Sequence, residues 1–138
     1  MIREYTYAFS AVCPLQGESY SLISPLCNTA AMNELLHGLS IAYGEEEIRV
    51  FADNAGWHKS KDLQQPANIH LELLPPYCPE LNPTEHLWDY IREQKGFNNH
   101  IFDSMEQLEN HLEDVLKNLQ QEKDYIRSLC TFNWMLPP

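Results

Sequence analysis

Two acidic side chains in this 138-residue sequence stand where carboxylate chemistry could be done. Asp53 directly follows the apolar run Ile48-Arg49-Val50-Phe51-Ala52, and Glu85 closes the segment Asn82-Pro83-Thr84-Glu85. Carboxylates held on rigid elements and separated by a compact loop are what a divalent-metal phosphodiester site requires. Hard cations such as Mg²⁺ take oxygen ligands and stabilise charge on phosphoryl oxygens. Each acid also has an ordinary reading. Asp53 begins an Asp-Asn pair, which commonly bonds its own backbone in a loop. Glu85 completes an N-x-x-E capping box, which accounts for a glutamate there without any chemistry. His58, His70 and His86 read first as surface or hydrogen-bonding residues. The sequence offers no third acid in a comparable place.

The elements that must position these acids read as α/β. Tyr5 to Cys13 is rich in β-favouring residues and ends at Pro14, and Ser19 to Ser24 ends at Pro25. Gln16-Gly17-Glu18 turns the chain between them, so an antiparallel hairpin is expected. Asn28 or Thr29 can cap a helix carrying Met32, Leu35, Leu36, Leu39 and Tyr43 at the helical period, with Gly44 ending it. Ile48 to Ala52 reads as a central strand buried on both faces, and Ile69 to Leu74 as another strand, closed by Pro75-Pro76. Strand, helix, strand in that order predicts a right-handed crossover and a parallel pairing. Asp53 then lies at the carboxyl end of a strand, where ligands bind in open α/β sheets.

Asn82 as N-cap, Pro83 at the first helical position and Glu85 at the third announce a helix with Leu87, Trp88 and Ile91 toward the core and Gly96 at its end. A later helix opens at Asp103-Ser104, with Glu106 and Gln107 in capping-box range, and runs through Leu108, Leu112, Val115, Leu116 and Leu119. Ile126, Leu129, Phe132 and Trp134 are expected to dock on the body. There is no internal repeat, low-complexity tract or linker, so residues 1–138 read as one domain with a sizeable core.

Composition narrows the function classes. No apolar run approaches the roughly 18 to 20 residues that span a bilayer, and no basic-then-apolar leader opens the chain. A soluble, cytoplasmic protein with no membrane partner is expected. Cys13, Cys27, Cys78 and Cys130 are scattered without a Cys-x-x-Cys pair, which favours reduced thiols over a zinc site. Nine Lys and Arg stand against twenty Asp and Glu, a net charge of −11, whereas a chain that grips a DNA backbone alone carries a basic face. From Asp103 to Asp124 there are seven acids and two lysines, which reads as a solvated helix face. Arg49, Lys59, Lys61, Arg92 and Lys95 are the basic residues near the two acids. Arg92 shares a helix face with Glu85 and is expected to pair with Asp89 or Glu93.

Asp53-Asn54 with His58 downstream, followed by Leu74-Pro75-Pro76-Tyr77-Cys78-Pro79-Glu80-Leu81-Asn82-Pro83-Thr84-Glu85-His86-Leu87-Trp88, resembles the DDE transposases of bacterial insertion sequences in the mariner-like superfamily. Cys78 replaces that pattern's usual serine and Thr84 its usual isoleucine. Arg3 to Ala11 and Ile126 to Trp134 also look family-like, so the resemblance covers nearly the whole chain. It implies an RNase H-like fold and metal-dependent DNA cleavage and strand transfer, with three carboxylates holding two Mg²⁺ or Mn²⁺ ions. By motif position Asp53 matches the second carboxylate and metal ligand and Glu85 the third, with Asn54, His58 and Asn82 as accessory residues. The 31 residues between the two acids are slightly fewer than is usual in that family.

The same resemblance predicts what should be missing. The family's first carboxylate lies on a central strand upstream of the segment matching Arg3 to Ala11, and its helix-turn-helix region lies further upstream still. The chain is therefore expected to be an N-terminally truncated catalytic domain, lacking that strand. Glu4, at a strand start, is a poor substitute. Removing a central strand exposes sheet edges, which invites three outcomes. The hairpin could pair with the Asp53 strand, two copies could pair as a homodimer, or an upstream transposase polypeptide could supply the strand. Two readings follow: a transposase segment acting on transposon-end DNA once completed, or an inactive, self-associating remnant.

Overall fold

The structure, a computed structural model, describes residues 6–53, 61–75, 82–94 and 102–131. Strands Tyr7–Cys13 (β1) and Glu18–Ser24 (β2) form the expected antiparallel hairpin, in register from Tyr7↔Ser24 to Cys13↔Glu18. Side chains alternate across it, and the face bearing Ala8, Val12 and Ile23 packs on a helical core. Gly17 closes the turn, its N–H donating to the Cys13 carbonyl at 2.8 Å. Its φ of +72° and a Lys123 carbonyl oxygen 1.9 Å from where a Cβ would sit both require glycine.

The helices under the hairpin are Thr84–Gln94 (α2), Met105–Leu119 (α3) and Lys123–Cys130 (α4), numbered after the earlier helix Thr29–Ala42 (α1). Leu87, Ile91, Leu112, Val115, Leu116, Leu119, Ile126 and Cys130 form one buried cluster, with Trp88 and Leu129 packed against it. α3 starts as its sequence announces: Ser104 Oγ accepts from the Gln107 N–H at 3.1 Å, and Gln107 Oε1 accepts from the Asp103 N–H at 3.0 Å. α4 has no side-chain cap but carries the hairpin turn. Arg127 donates to the Leu15 carbonyl at 2.9 Å and the Gln16 carbonyl at 3.3 Å, and Thr131 Oγ1 donates to the Pro14 carbonyl at 2.9 Å.

By contacts the chain falls into two compact units, residues 1–25 with 83–138 and residues 26–82. The second unit holds α1 and the strands Ile48–Ala52 (β3) and Ile69–Leu73 (β4). Asn28 caps α1, accepting from the Ala31 N–H at 3.0 Å, and Ala31, Met32, Leu35, Leu36 and Leu39 are buried. β3 and β4 pair in parallel from Ile48↔Ile69 to Ala52↔Leu73.

Two expectations need correction. The parallel pair is β3 with β4, joined by residues 53–68, and not a pair bridged by α1. β1–β2 and β3–β4 are separate two-stranded sheets among the described residues. The crossover rule presupposes strands of one sheet, whereas β2 is engaged in its hairpin. Nor is β3 buried on both faces: Ala52 is buried and Ile48 and Val50 are half-buried, while Arg49 and Phe51 on the other face are exposed. A charged residue in that row keeps the face toward water.

Cys13, Cys27 and Cys130 are free thiols. No helix among the described residues is long and apolar enough to cross a membrane. Residues 1–5 with Glu4, the segment holding Cys78, Gly96, and Phe132 with Trp134 lie outside the described residues.

Candidate active site

Asp53 is the first residue past β3. The ladder holds right up to it, because the Ala52 carbonyl accepts from the Leu74 N–H at 2.7 Å and the Ala52 side chain is buried. Its exposed carboxylate therefore projects from the carboxyl ends of two parallel strands, the end where α/β sheets bind ligands. Asn54 and His58, the accessory residues expected beside it, lie outside the described residues, as do residues 76–81 of the proline-rich motif.

Glu85 sits in the first turn of α2 and is exposed. α2 begins at Thr84, one residue later than the capping signal suggests, and Asn82 ahead of it is half-buried. Buried Leu87 and Ile91 hold the rotation of the helix, which keeps Glu85 on the outward face near the positive end of the helix dipole. Asp89 and Arg92 continue that face by helical spacing. Arg92 Nη2 meets Asp89 Oδ1 at 2.6 Å, the surface pair expected for this arginine.

Asp53 belongs to the unit of residues 26–82 and Glu85 to the other, and each is placed by its own unit. Among the described residues no three His, Cys, Asp or Glu side chains gather into a metal-holding group. Two exposed carboxylates suit Mg²⁺ or Mn²⁺ in kind, being hard oxygen donors, and fall short of a three-carboxylate site in number.

The other candidates resolve as structural. His70 Nε2 lies 2.7 Å from Glu47 Oε2, and His86 is exposed on α2. Cys130 is fully buried, and burial pushes its thiol up to about 11, which keeps it from acting as a nucleophile at neutral pH. Of the nearby cations, Arg49 pairs with Glu72 at 3.3 Å and Arg92 with Asp89, Lys61 is exposed, and Lys59 and Lys95 are outside the described residues. A basic face does not assemble around either acid among the described residues.

What the sequence did not reveal is how the loop after Asp53 is tied down. Asn33 donates to the Asp62 carbonyl at 3.1 Å and accepts from the Gln64 N–H at 2.7 Å. Asn68 Nδ2 donates to the carbonyls of Tyr43 at 3.3 Å and Glu46 at 3.1 Å, and Ser40 Oγ bonds its Oδ1. Such long-range side-chain bonds have no periodic signature.

Residues 3–109 match the family described as DDE superfamily endonuclease. A relative, "Uncharacterized protein y4pE/y4sA" of Sinorhizobium fredii (strain NBRC 101917 / NGR234), is 36% identical over 132 residues, covering 94% of this chain and 96% of the relative. No solved structure matches the chain. The match takes in both Asp53 and Glu85 and more than half of the sequence, and the mixed α/β architecture is compatible with it. The chain belongs to the DDE superfamily endonucleases, a transposase-type family of nucleases that act on DNA.

Proposed function

We propose that this chain serves in DNA transposition, contributing Asp53 and Glu85 as two carboxylates of a metal-dependent site for DNA cleavage and strand transfer, on an RNase H-like framework. The observation that carries the reading is the exposed Asp53 at the carboxyl end of the β3–β4 pair, inside the region matched to the family. Bound Mg²⁺ or Mn²⁺ would supply activation of the attacking oxygen and charge stabilisation on the leaving one. The chain's own part is to present oxygen donors: Asp53 from the end of a ladder that holds its backbone still, Glu85 from a helix anchored by buried residues. Asn54, His58 and Asn82 are proposed as accessory polar groups around them.

A net charge of −11 and the paired Arg49 and Arg92 fit weak DNA binding by this chain alone. The same facts fit a second reading, an inactive transposase remnant that folds.

The two readings part in one assay. The purified chain is incubated with supercoiled DNA and Mn²⁺, and Mn²⁺ binding is followed by calorimetry. Nicking that disappears in both Asp53→Ala and Glu85→Ala supports the catalytic reading. Neither nicking nor Mn²⁺ binding sinks it for the isolated chain and leaves the remnant.

A further inference from the structure

The last bond of the β3–β4 ladder is made by a residue that stands before a proline. The Ile48 N–H donates to the Asn68 carbonyl at 2.8 Å where the ladder opens, and the Leu74 N–H donates to the Ala52 carbonyl at 2.7 Å where it ends. The Ala52 carbonyl and the Asp53 nitrogen belong to one planar peptide group. Holding that carbonyl therefore fixes the plane from which the Asp53 Cα and its carboxylate hang. The donor is itself constrained. Leu74 precedes Pro75, whose ring disfavours the helical region for the residue before it and leaves the extended conformations. An extended Leu74 carries the backbone of β4 on by one residue and presents its N–H to β3, in keeping with the parallel register Ala52↔Leu73. Pro75 has no N–H of its own, so it adds no further bond to the ladder. Its ring is exposed while the Leu74 side chain is half-buried, so packing does not account for a proline here.

We propose that Leu74 and Pro75 are positioning residues for Asp53: Pro75 keeps Leu74 extended, and the Leu74 N–H holds the peptide group that carries the acid. The proposal rests on the reading of Asp53 as a metal ligand and adds how that ligand is kept in place. A bond at the end of a ladder has no neighbour beyond it and is among the first to open. Groups that act together in a site must be held to within about 0.5 Å and roughly 10–20°. A peptide plane free to rock at Asp53 spoils that tolerance. Pro75 acts against the opening by removing conformations that a released Leu74 would otherwise gain. It does so without enclosing the acid, and Asp53 stays exposed to a ligand. One proline of the motif that leads to Glu85 is thereby tied to the other acid, through a hydrogen bond between strands.

Solution NMR of the full chain tests it, first without metal and then with Mn²⁺. In Pro75→Ala the Leu74 amide should exchange about two- to fivefold faster, the factor that one proline's restriction supplies. The Ile69 and Leu71 amides, held by the Pro66 carbonyl and Gln65 Oε1, should exchange as before. The three-bond couplings of Asp53, which report its side-chain rotamer, should move toward averaged values. Leu74→Ile in the Pro75→Ala background should restore both readouts, because β-branching favours extended backbone. A ring that served packing alone would not be replaced in this way. On titration with Mn²⁺, broadening of the Asp53 signals should need more metal in Pro75→Ala than in the wild type. Leu74 exchange and Asp53 couplings that keep their wild-type values in Pro75→Ala overturn the proposal, as does an equal acceleration at Leu71. Mn²⁺ that broadens neither Asp53 nor Glu85 in the wild type refutes the metal site instead. The exchange and coupling readouts need no metal, so they decide the proposal in that case too.

Discussion

In the unit of residues 1–25 and 83–138, eight buried side chains from three helices meet the inner face of a hairpin, and Leu87, Leu119, Ile126 and Cys130 are fully enclosed. In the unit of residues 26–82 Ala31, Met32, Leu35, Leu36, Leu39, Ala52 and Ile69 are buried, with Leu36 and Ile69 fully enclosed, and polar stitching is added to that apolar burial. Asn33, Gln65 and Asn68 bind backbone groups of α1, the connecting loop and β4. Burial is non-directional and spreads over many contacts, whereas each stitch depends on one side chain with one geometry. Glu85 therefore rides on a helix anchored by apolar burial, and Asp53 on a strand whose following loop is held by a few amides as well as by burial. An acid whose loop is held by such stitches is easier to displace by a single mutation.

The largest expected effect tests the apolar side of this contrast. Leu119→Ala should cost about 3–4 kcal/mol in urea denaturation, since it leaves a cavity in a fully enclosed cluster. Its exchange signature should be concentrated in α3, α4 and the hairpin. Equal acceleration across α1, β3 and β4 would show that the two units unfold as one and would break the comparison.

Asn68→Ala addresses the polar side. Removing its side chain leaves the Glu46 carbonyl and the Ser40 hydroxyl short of a partner, while the Tyr43 carbonyl keeps the Glu46 N–H, for a loss of about 1–2 kcal/mol. The expected local sign is faster amide exchange at the end of α1 and the start of β3, with α3 unchanged. A loss below about 0.5 kcal/mol would mean that the stitches are replaceable by water.

The smallest effect depends on pH. Burial raises the Cys130 thiol from 9.0 to about 11, so the folded state holds its proton where the unfolded state releases it. The stability involved is fully present below pH 9 and is lost as pH rises toward about 11, by an amount of up to about 2 kcal/mol. Cys130→Ala should be less stable at neutral pH from lost packing, yet fall less steeply than the wild type between pH 9 and 11. Parallel curves for the two proteins would show that the thiol ionises without penalty and that the apolar cluster admits water.

Much of the local architecture was legible because its signals are local. Pro14 and Pro25 bound the hairpin strands, Asn28 and Ser104 cap helices by bonds three residues along, and the Leu-rich periods of α1 and α3 point inward as spaced. Ile126 and Leu129 dock as expected, although α4 itself was not foreseen as a helix: it is eight residues long and no side chain caps it. The burial of β3 was overestimated because an apolar run does not say how many faces are covered. The pairing of Asp53 and Glu85 as site residues rests on motif position, and nothing in periodicity or capping distinguishes a ligand from a cap at Glu85.

The sequence alone determined which short segments become strands and helices, the order in which they come, and that two acids follow a strand and open a helix within a recognisable motif. Those properties depend on neighbours within a few residues: caps, prolines, glycines and the period of apolar side chains. Only the tertiary structure decided that β3 pairs with β4 across residues 53–68, that α4 grips the hairpin turn, and that the loop before β4 takes up the Ile69 and Leu71 amides. Those outcomes turn on backbone groups whose partners lie far off in sequence, and a backbone N–H carries no mark in the sequence of the acceptor it will find.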